Sequence, residues 1–285
     1  TAKALIKLIA NTAVEVGVAD HSYIVGGSVR DYVMGVNPKD IDIVVETKKD
    51  EETGETKNAV TLAEAVAKKL HVKGVKADQY GVVHIGPVPE DVFFDGINMK
   101  GQKIEIVTAR KEKYNKGLAR DSHKPTSVAP GTIHDDLMRR DFTFNTLTWR
   151  LSDLTDSIDK APVLDILGNG LTDLHEKRVT TPLDPAETFT EDPSRMLRAV
   201  RFAVKYNFEM TPETKQAIKE NAKEIKRMPW EPIGDVFVNK ILKLGREKAE
   251  RAIKELDELD LLRPTLEMVD KTYLQRQIKD LPIGN

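Results

Sequence analysis

Tyr23-Ile24-Val25-Gly26-Gly27-Ser28-Val29-Arg30-Asp31, followed after a short connection by Asp40-Ile41-Asp42-Ile43-Val44-Val45, is the stretch on which the reading of this chain turns. An apolar strand enters a Gly-Gly turn that opens a helix, and the next apolar run begins with two carboxylates. Side chains two apart on a strand point to one face, so Asp40 and Asp42 converge. Two carboxylates held together repel unless a cation sits between them, and hard divalent ions such as Mg²⁺ take oxygen ligands. The Gly26-Gly27 turn lets backbone N–H groups approach a phosphate, and the helix beyond it adds donors and a positive dipole end. Arg30, on the first turn of that helix, brings a fork of further donors. Alone, the turn reads equally as a tight strand-to-helix connection capped by Ser28, and the acids as one solvated sheet face. Together, on a strand that Ile41, Ile43, Val44 and Val45 mark as central, they point to phosphoryl or nucleotidyl transfer.

Composition sets the bounds. A chain of 285 residues, 40% hydrophobic and 32% charged, is long enough for two domains. No run of 18 apolar residues suggests a membrane span, and Ala4 to Ala10, broken by Lys7, reads as an amphipathic helix rather than a signal peptide. Cysteine is absent, which excludes disulfides and cysteine-ligated zinc and fits a cytoplasmic setting. A net charge of −2 gives no global field for nucleic acid, so such a partner needs a local cluster. The six histidines show no metal-ligand spacing.

The periodicities predict helices over 3–18, 28–34 and 61–70, the last with Thr61 as N-cap and Glu64 completing a capping box. Strands are predicted over 21–25, 41–45, 81–85 and 103–108, and helices over 192–206, 212–227, 235–243 and 246–259. An α/β half therefore precedes an all-helical half. Trp149 and Trp230 read as packing residues.

Four motifs occur in order: the Gly26-Gly27 turn, Asp40-Ile41-Asp42, Arg139-Arg140-Asp141-Phe142-Thr143-Phe144-Asn145, and Glu191-Asp192-Pro193-Ser194-Arg195-Met196-Leu197-Arg198-Ala199-Val200-Arg201-Phe202. In this order they resemble the head and neck of class II tRNA nucleotidyltransferases, the CCA-adding enzymes of the polymerase β superfamily, with bacterial poly(A) polymerases as close relatives. The resemblance implies an α+β fold, a polymerase β-type nucleotidyltransferase head (small mixed sheet with helices) followed by an all-helical neck and body. It divides the chain into a head at 1–178, a base-recognition neck at 179–250 and the start of a body at 251–285, without the tail that relatives carry.

It also implies roles. Asp40 and Asp42 hold two Mg²⁺ ions about 3.5–4 Å apart, and Glu105 stands where the family has a third acid on a neighbouring strand, though it reads equally as an ordinary exposed position. Gly26, Gly27, Arg30 and Arg140 serve the nucleotide phosphates, while Asp141 and Asn145 arrange the sugar and site walls. Arg139 reads equally as a structural ion-pair partner. Asp192 and Arg195, three apart, share a helix face. A carboxylate accepting from an exocyclic amine and a guanidinium donating to the adjacent ring nitrogen select cytosine and adenine without a template. Asp192 reads also as an N-cap before Pro193. Arg198 and Arg201 continue the face toward triphosphate or primer.

The segment Lys111 to His134 lies where the family has a flexible loop, which leans toward full CCA addition. Two departures stand out: Thr146 where the family usually has alanine, and Pro232 where it has an arginine. The basic stretch Lys271 to Lys279 reads as a solvated helix. The implied activity is addition of C, C and A to tRNA 3′ ends from CTP and ATP, with tRNA as partner. Poly(A) synthesis, or a CC-only or A-only specialist, is the alternative; poly(A) polymerases carry a basic stretch where this chain has Gln79-Tyr80-Gly81-Val82-Val83-His84. A third reading is a nucleotide- or RNA-binding module without turnover.

Overall fold

The computed structural model describes residues 1–36, 41–73, 75, 77, 81–113 and 127–269. Asp40, Gln79-Tyr80, most of the Lys111–His134 segment and Lys271–Lys279 lie outside or largely outside them. The fold is α+β, and the chain divides into two compact units, one of 1–113 with 127–172 and one from Asp173 onward.

The first unit is built on five strands: β1 (Ser22–Val25), β2 (Asp42–Val45), β3 (Val82–Ile85), β4 (Ile104–Thr108) and β5 (Thr148–Arg150). Their order is β5-β1-β2-β4-β3, which makes β2 the central strand. It runs antiparallel to β1, with Val25 opposite Asp42, and parallel to β4, with Asp42 opposite Glu105. Each strand is a short β-branched or aromatic run, the composition that fits a pleated, half-buried surface.

Helices cover the sheet. α1 (Ala2–Glu15) and α3 (Ala59–Lys69) pack on each other, and α3 also lies on β3 and β4. Ile24, Ile43 and Ile106, all fully buried, face one way from neighbouring strands, and the period of two turns Val25, Asp42 and Val44 the other way. α2 (Gly27–Val33) follows the Gly-Gly turn, its Tyr32 ring edge-on to Trp149 at 4.9 Å, and on that second side α4 (Ile133–Met138) sets Ile133 and Leu137 against Tyr23, Val25, Val44 and Ala109. Burying a side chain such as Leu137 contributes about 2 kcal/mol, which anchors a helix far too short to persist alone.

Two boundaries differ from expectation for local reasons. α3 begins at Ala59, because the Asn58 side chain accepts from Val60 N at 2.9 Å while Thr61 Oγ1 accepts from Asn58 N at 3.2 Å. Asn58 is thus the cap and Thr61 the returning half of the capping box. β5 was not anticipated: Trp149 is fully buried in it, and only pairing with β1 reveals a three-residue strand.

The second unit is helical apart from one short parallel strand pair, Arg178–Val179 beside Glu209–Met210: its helices are α5 (Pro185–Glu191), α6 (Ser194–Tyr206), α7 (Pro212–Asn221), α8 (Trp230–Gly234) and α9 (Arg246–Glu258), with a helical stretch over 262–269. α6 is its centre, burying Met196, Leu197, Ala199, Val200, Phe202, Ala203 and Val204, and Asn207 ends it in the left-handed conformation at φ +57°. The predicted 212–227 helix tightens into a 3₁₀ turn over Ala222–Arg227, and 235–241 winds as a π-helix. No helix among the described residues is long and apolar enough to cross a membrane.

Candidate active site

The glycine turn works as expected at the backbone. Gly26 sits at φ +76°, a conformation that a side chain resists, and its N–H donates to Leu147 O at 3.1 Å. A Cβ on Gly26 would stand 2.8 Å from Nη1 of Arg140, so the guanidinium lies directly over the turn. Gly27 begins α2, and Arg30 N closes the first turn onto Gly26 O at 3.1 Å.

Arg140 is delivered by α4. Asp136, fully buried, accepts from Arg140 Nη2 at 3.2 Å and from Arg139 Nη2 and Nε at 2.7 and 3.2 Å. Burial alone pushes the Asp136 carboxyl pKa up, but Arg140 and Arg139 outweigh it and hold the group below the usual aspartate range. Nε of Arg140 is buried without a hydrogen-bond partner. Arg140 therefore presents an incompletely satisfied cation at a turn rich in backbone donors, the arrangement that fits an anionic oxygen. Sequence reasoning missed Asp136 as the clamp, although its i,i+3 and i,i+4 spacing to Arg139 and Arg140 was the signal.

Arg30 occupies a different place from Arg140. Its side chain is 7% exposed, with Nε and Nη2 on Asp31 Oδ1 at 2.9 and 2.6 Å and Nη1 on Asn145 Oδ1 at 2.6 Å. Asn145 Nδ2 in turn donates to Asp141 Oδ1 at 2.9 Å, which also accepts from Phe142 N. The chain Asp31–Arg30–Asn145–Asp141 ties α2 to the segment after Arg140.

On the sheet, Asp42 and Glu105 occupy paired positions on parallel neighbours, so their side chains share a face. Two carboxylates there form a donor set that fits a hard divalent ion, and Asp40 is the third acid expected beside them. No group of three or more His, Cys, Asp or Glu among the described residues stands close enough to hold a metal. His84, to which sequence reasoning gave no role, pairs with Glu105 across β3–β4, its Nδ1 3.6 Å from Oε2.

In the second unit, Asp192 lies between α5 and α6. Its Oδ1 accepts from Ser194 N at 3.0 Å and Ser194 Oγ at 2.6 Å, so it does cap the approach to α6. Its Oδ2 stands 3.8 Å from Arg195 Nε, and Arg195 Nη1 reaches Thr188 O at 3.3 Å and Glu191 at 3.5 Å. The pair does share a face, with Arg195 nearly buried and Asp192 about a third exposed. Arg198 and Arg201 are half-buried further along α6, and the Arg201 guanidinium lies 4.4 Å over the Phe202 ring.

Known proteins resemble the chain over most of its length. The family profile "Poly A polymerase head domain" matches residues 22–180, and "Probable RNA and SrmB- binding site of polymerase A" matches residues 207–272. The chain is 33% identical over 199 residues to the A-adding tRNA nucleotidyltransferase of Aquifex aeolicus, covering 70% of this chain and 20% of that protein. It is 32% identical over 211 residues to poly(A) polymerase I of Salmonella typhi, covering 73% and 39% respectively. The solved apo form II of a CCA-adding enzyme superposes with a TM-score of 0.67 at 28% identity, over 90% of this chain and 52% of that one. The chain thus spans no more than about half the length of these relatives. With the head profile covering more than half of its residues, the chain belongs to the tRNA nucleotidyltransferase/poly(A) polymerase family.

Proposed function

We propose that the chain is a tRNA nucleotidyltransferase that adds CCA to tRNA 3′ ends from CTP and ATP. The observation that carries this reading is the head's own arrangement: Arg140 held over the Gly26 turn by buried Asp136, on the sheet side to which Asp42 belongs.

In this reading Asp42 and Glu105, with Asp40, hold Mg²⁺. Mg²⁺ bound there would supply acidification of the RNA 3′-hydroxyl and charge neutralisation of the leaving pyrophosphate. The chain's own groups do the rest. Backbone N–H groups at Gly26 and Gly27 and the Arg140 guanidinium hold the triphosphate oxygens, and the Arg30–Asn145–Asp141 chain keeps the turn in register. In the neck, at 179–250, Asp192 accepts from the exocyclic amine of cytosine or adenine while Arg195 donates to the ring nitrogen, with Arg198 and Arg201 toward the triphosphate or primer. Uracil and guanine present a carbonyl and a ring N–H there, leaving both groups mismatched. The cysteine-free composition fits a cytoplasmic setting for this chemistry.

Poly(A) synthesis is the second reading, favoured by the Salmonella relative; the absence of a basic stretch at residues 79–84 speaks for CCA. The test is incubation with Mg²⁺, tRNAs ending before the CCA, after CC and after CCA, and labelled nucleotides offered singly and together. Growth by C, C, A and then arrest, abolished in Asp42→Ala, supports the proposal. Unlimited A addition supports the second reading, and nucleotide binding without growth a binding role.

A further inference from the structure

We infer that Glu46 is a positioning residue for nucleotide binding: its carboxylate docks α4, the helix that leads into Arg140, onto the end of the carboxylate strand. The proposal rests on the reading of Arg140 as a phosphate ligand.

Glu46 directly follows β2, the strand that begins with Asp42. Its Oε1 accepts from the backbone N–H of Ile133, the first residue of α4, at 2.6 Å. That N–H is one of the donors a helix start leaves without an intrahelical partner. The remaining capping falls to Thr132 and Asp135, whose side chains each accept from the other's backbone N–H at 3.3 and 2.9 Å. Thr132 and Asp135 thus finish the helix locally, and beside the apolar packing of Ile133 it is the Glu46 side chain that hydrogen-bonds its start to the end of β2. The same six-residue helix carries Asp136 in its second half, and through it Arg140, just past its end, over Gly26.

Glu46 is itself fixed. Its backbone N–H donates to His21 O at 2.8 Å, and its Oε2 lies 3.8 Å from His21 Nδ1. Its side chain is about a fifth exposed, so the contact is sheltered from water. A short rigid element pinned at one end by Glu46 and loaded at the other by Arg140 transmits a shift at the pin to the guanidinium. Displacement of a ligating group by even about 1 Å is costly in a preorganised site.

The experiment is a double-mutant cycle on the purified chain, read as the dissociation constant for a fluorescent ATP analogue, with melting temperatures recorded alongside. Glu46→Ala is expected to weaken binding about 5-fold, as loss of a cap of this kind implies. Glu46→Gln, which keeps an acceptor toward Ile133 N, should restore most of the affinity. Arg140→Ala should weaken binding more, and adding Glu46→Ala to it should change little further. Equal affinity of wild type and Glu46→Ala, or fully additive effects in the double variant, overturns the inference. Failure of the wild type to bind the analogue at all overturns the nucleotidyltransferase reading instead.

Discussion

Replacing Asp136 by alanine should both loosen the head and release Arg140. The carboxylate is fully buried and accepts three hydrogen bonds from two arginines, at 2.7, 3.2 and 3.2 Å. Removing one partner of a buried ion pair costs about 3–5 kcal/mol. Here the arginine side chains are 25% and 21% exposed and can recover some hydration, which lowers the expectation to about 2–3 kcal/mol. For a unit of this size that corresponds to a fall of roughly 5–10 °C in melting temperature, measured by calorimetry or circular dichroism. The pH dependence follows from the depressed pKa. Because the folded-state value lies below the ordinary 3.8, the stability from Asp136 is complete above that value and is lost as pH falls through the lowered one. The difference in unfolding free energy between wild type and Asp136→Asn should therefore stay level from about pH 5 to 8 and close below about pH 4. A melting temperature within about 2 °C of wild type, or a difference that persists undiminished into acid, would refute the clamp argument.

Other perturbations follow from the same geometry. Gly26→Ala must place a Cβ at φ +76° and against Arg140; a destabilisation of about 1–2 kcal/mol and a loss of nucleotide affinity are expected, and unchanged affinity in a binding titration would count against the turn as a phosphate site. Asp192→Asn should relax the preference for CTP and ATP over UTP and GTP by roughly 10-fold or more while leaving the melting temperature nearly unchanged, which single-nucleotide incorporation assays test. Glu255 has a buried Oε2 without a partner, and burial pushes its pKa up despite nearby Arg251 and Lys215. Charged Glu255 thus weakens the fold as pH rises past the ordinary value, so Glu255→Gln should stabilise by about 1 kcal/mol at neutral pH and not at pH 4, as denaturant titrations at both would reveal.

What could be read from residues alone was what local chemistry dictates. Val44 and Val45 after Asp42, or Ile104 to Thr108, announce strands because their shapes suit few other environments. The Gly26-Gly27 turn was legible because only glycine takes that backbone conformation comfortably. Glu105 could be nominated but not placed: its register beside Asp42 is set by a parallel pairing across some sixty intervening residues, which carry no local mark of it. The Asp136 clamp escaped because α4, at six residues, is too short for a helical period to show, and its existence depends on packing and on Glu46. Asn58 displaced Thr61 as the cap because both residue types can cap, and the choice depends on where the chain leaves the preceding short strand pair, Lys48–Lys49 with Thr56–Lys57. Arg30 could be nominated for the phosphates from its position on the helix, but its bond to Asn145 could not be read, because that partner lies 115 positions away.

The pairing of β1 with β5 has a consequence for biosynthesis. Tyr23 and Arg150 are partners 127 residues apart, and β1 lies between β2 and β5 in the finished sheet. At roughly 5–20 residues per second, a ribosome needs about 6–25 s after making β1 before its second neighbour exists. During that interval one edge of β1 presents open N–H and C=O groups, the template on which nascent chains mispair. Production of this protein should therefore respond to chaperone supply and to elongation rate between the codons for Val25 and Arg150 more than to the codons that follow.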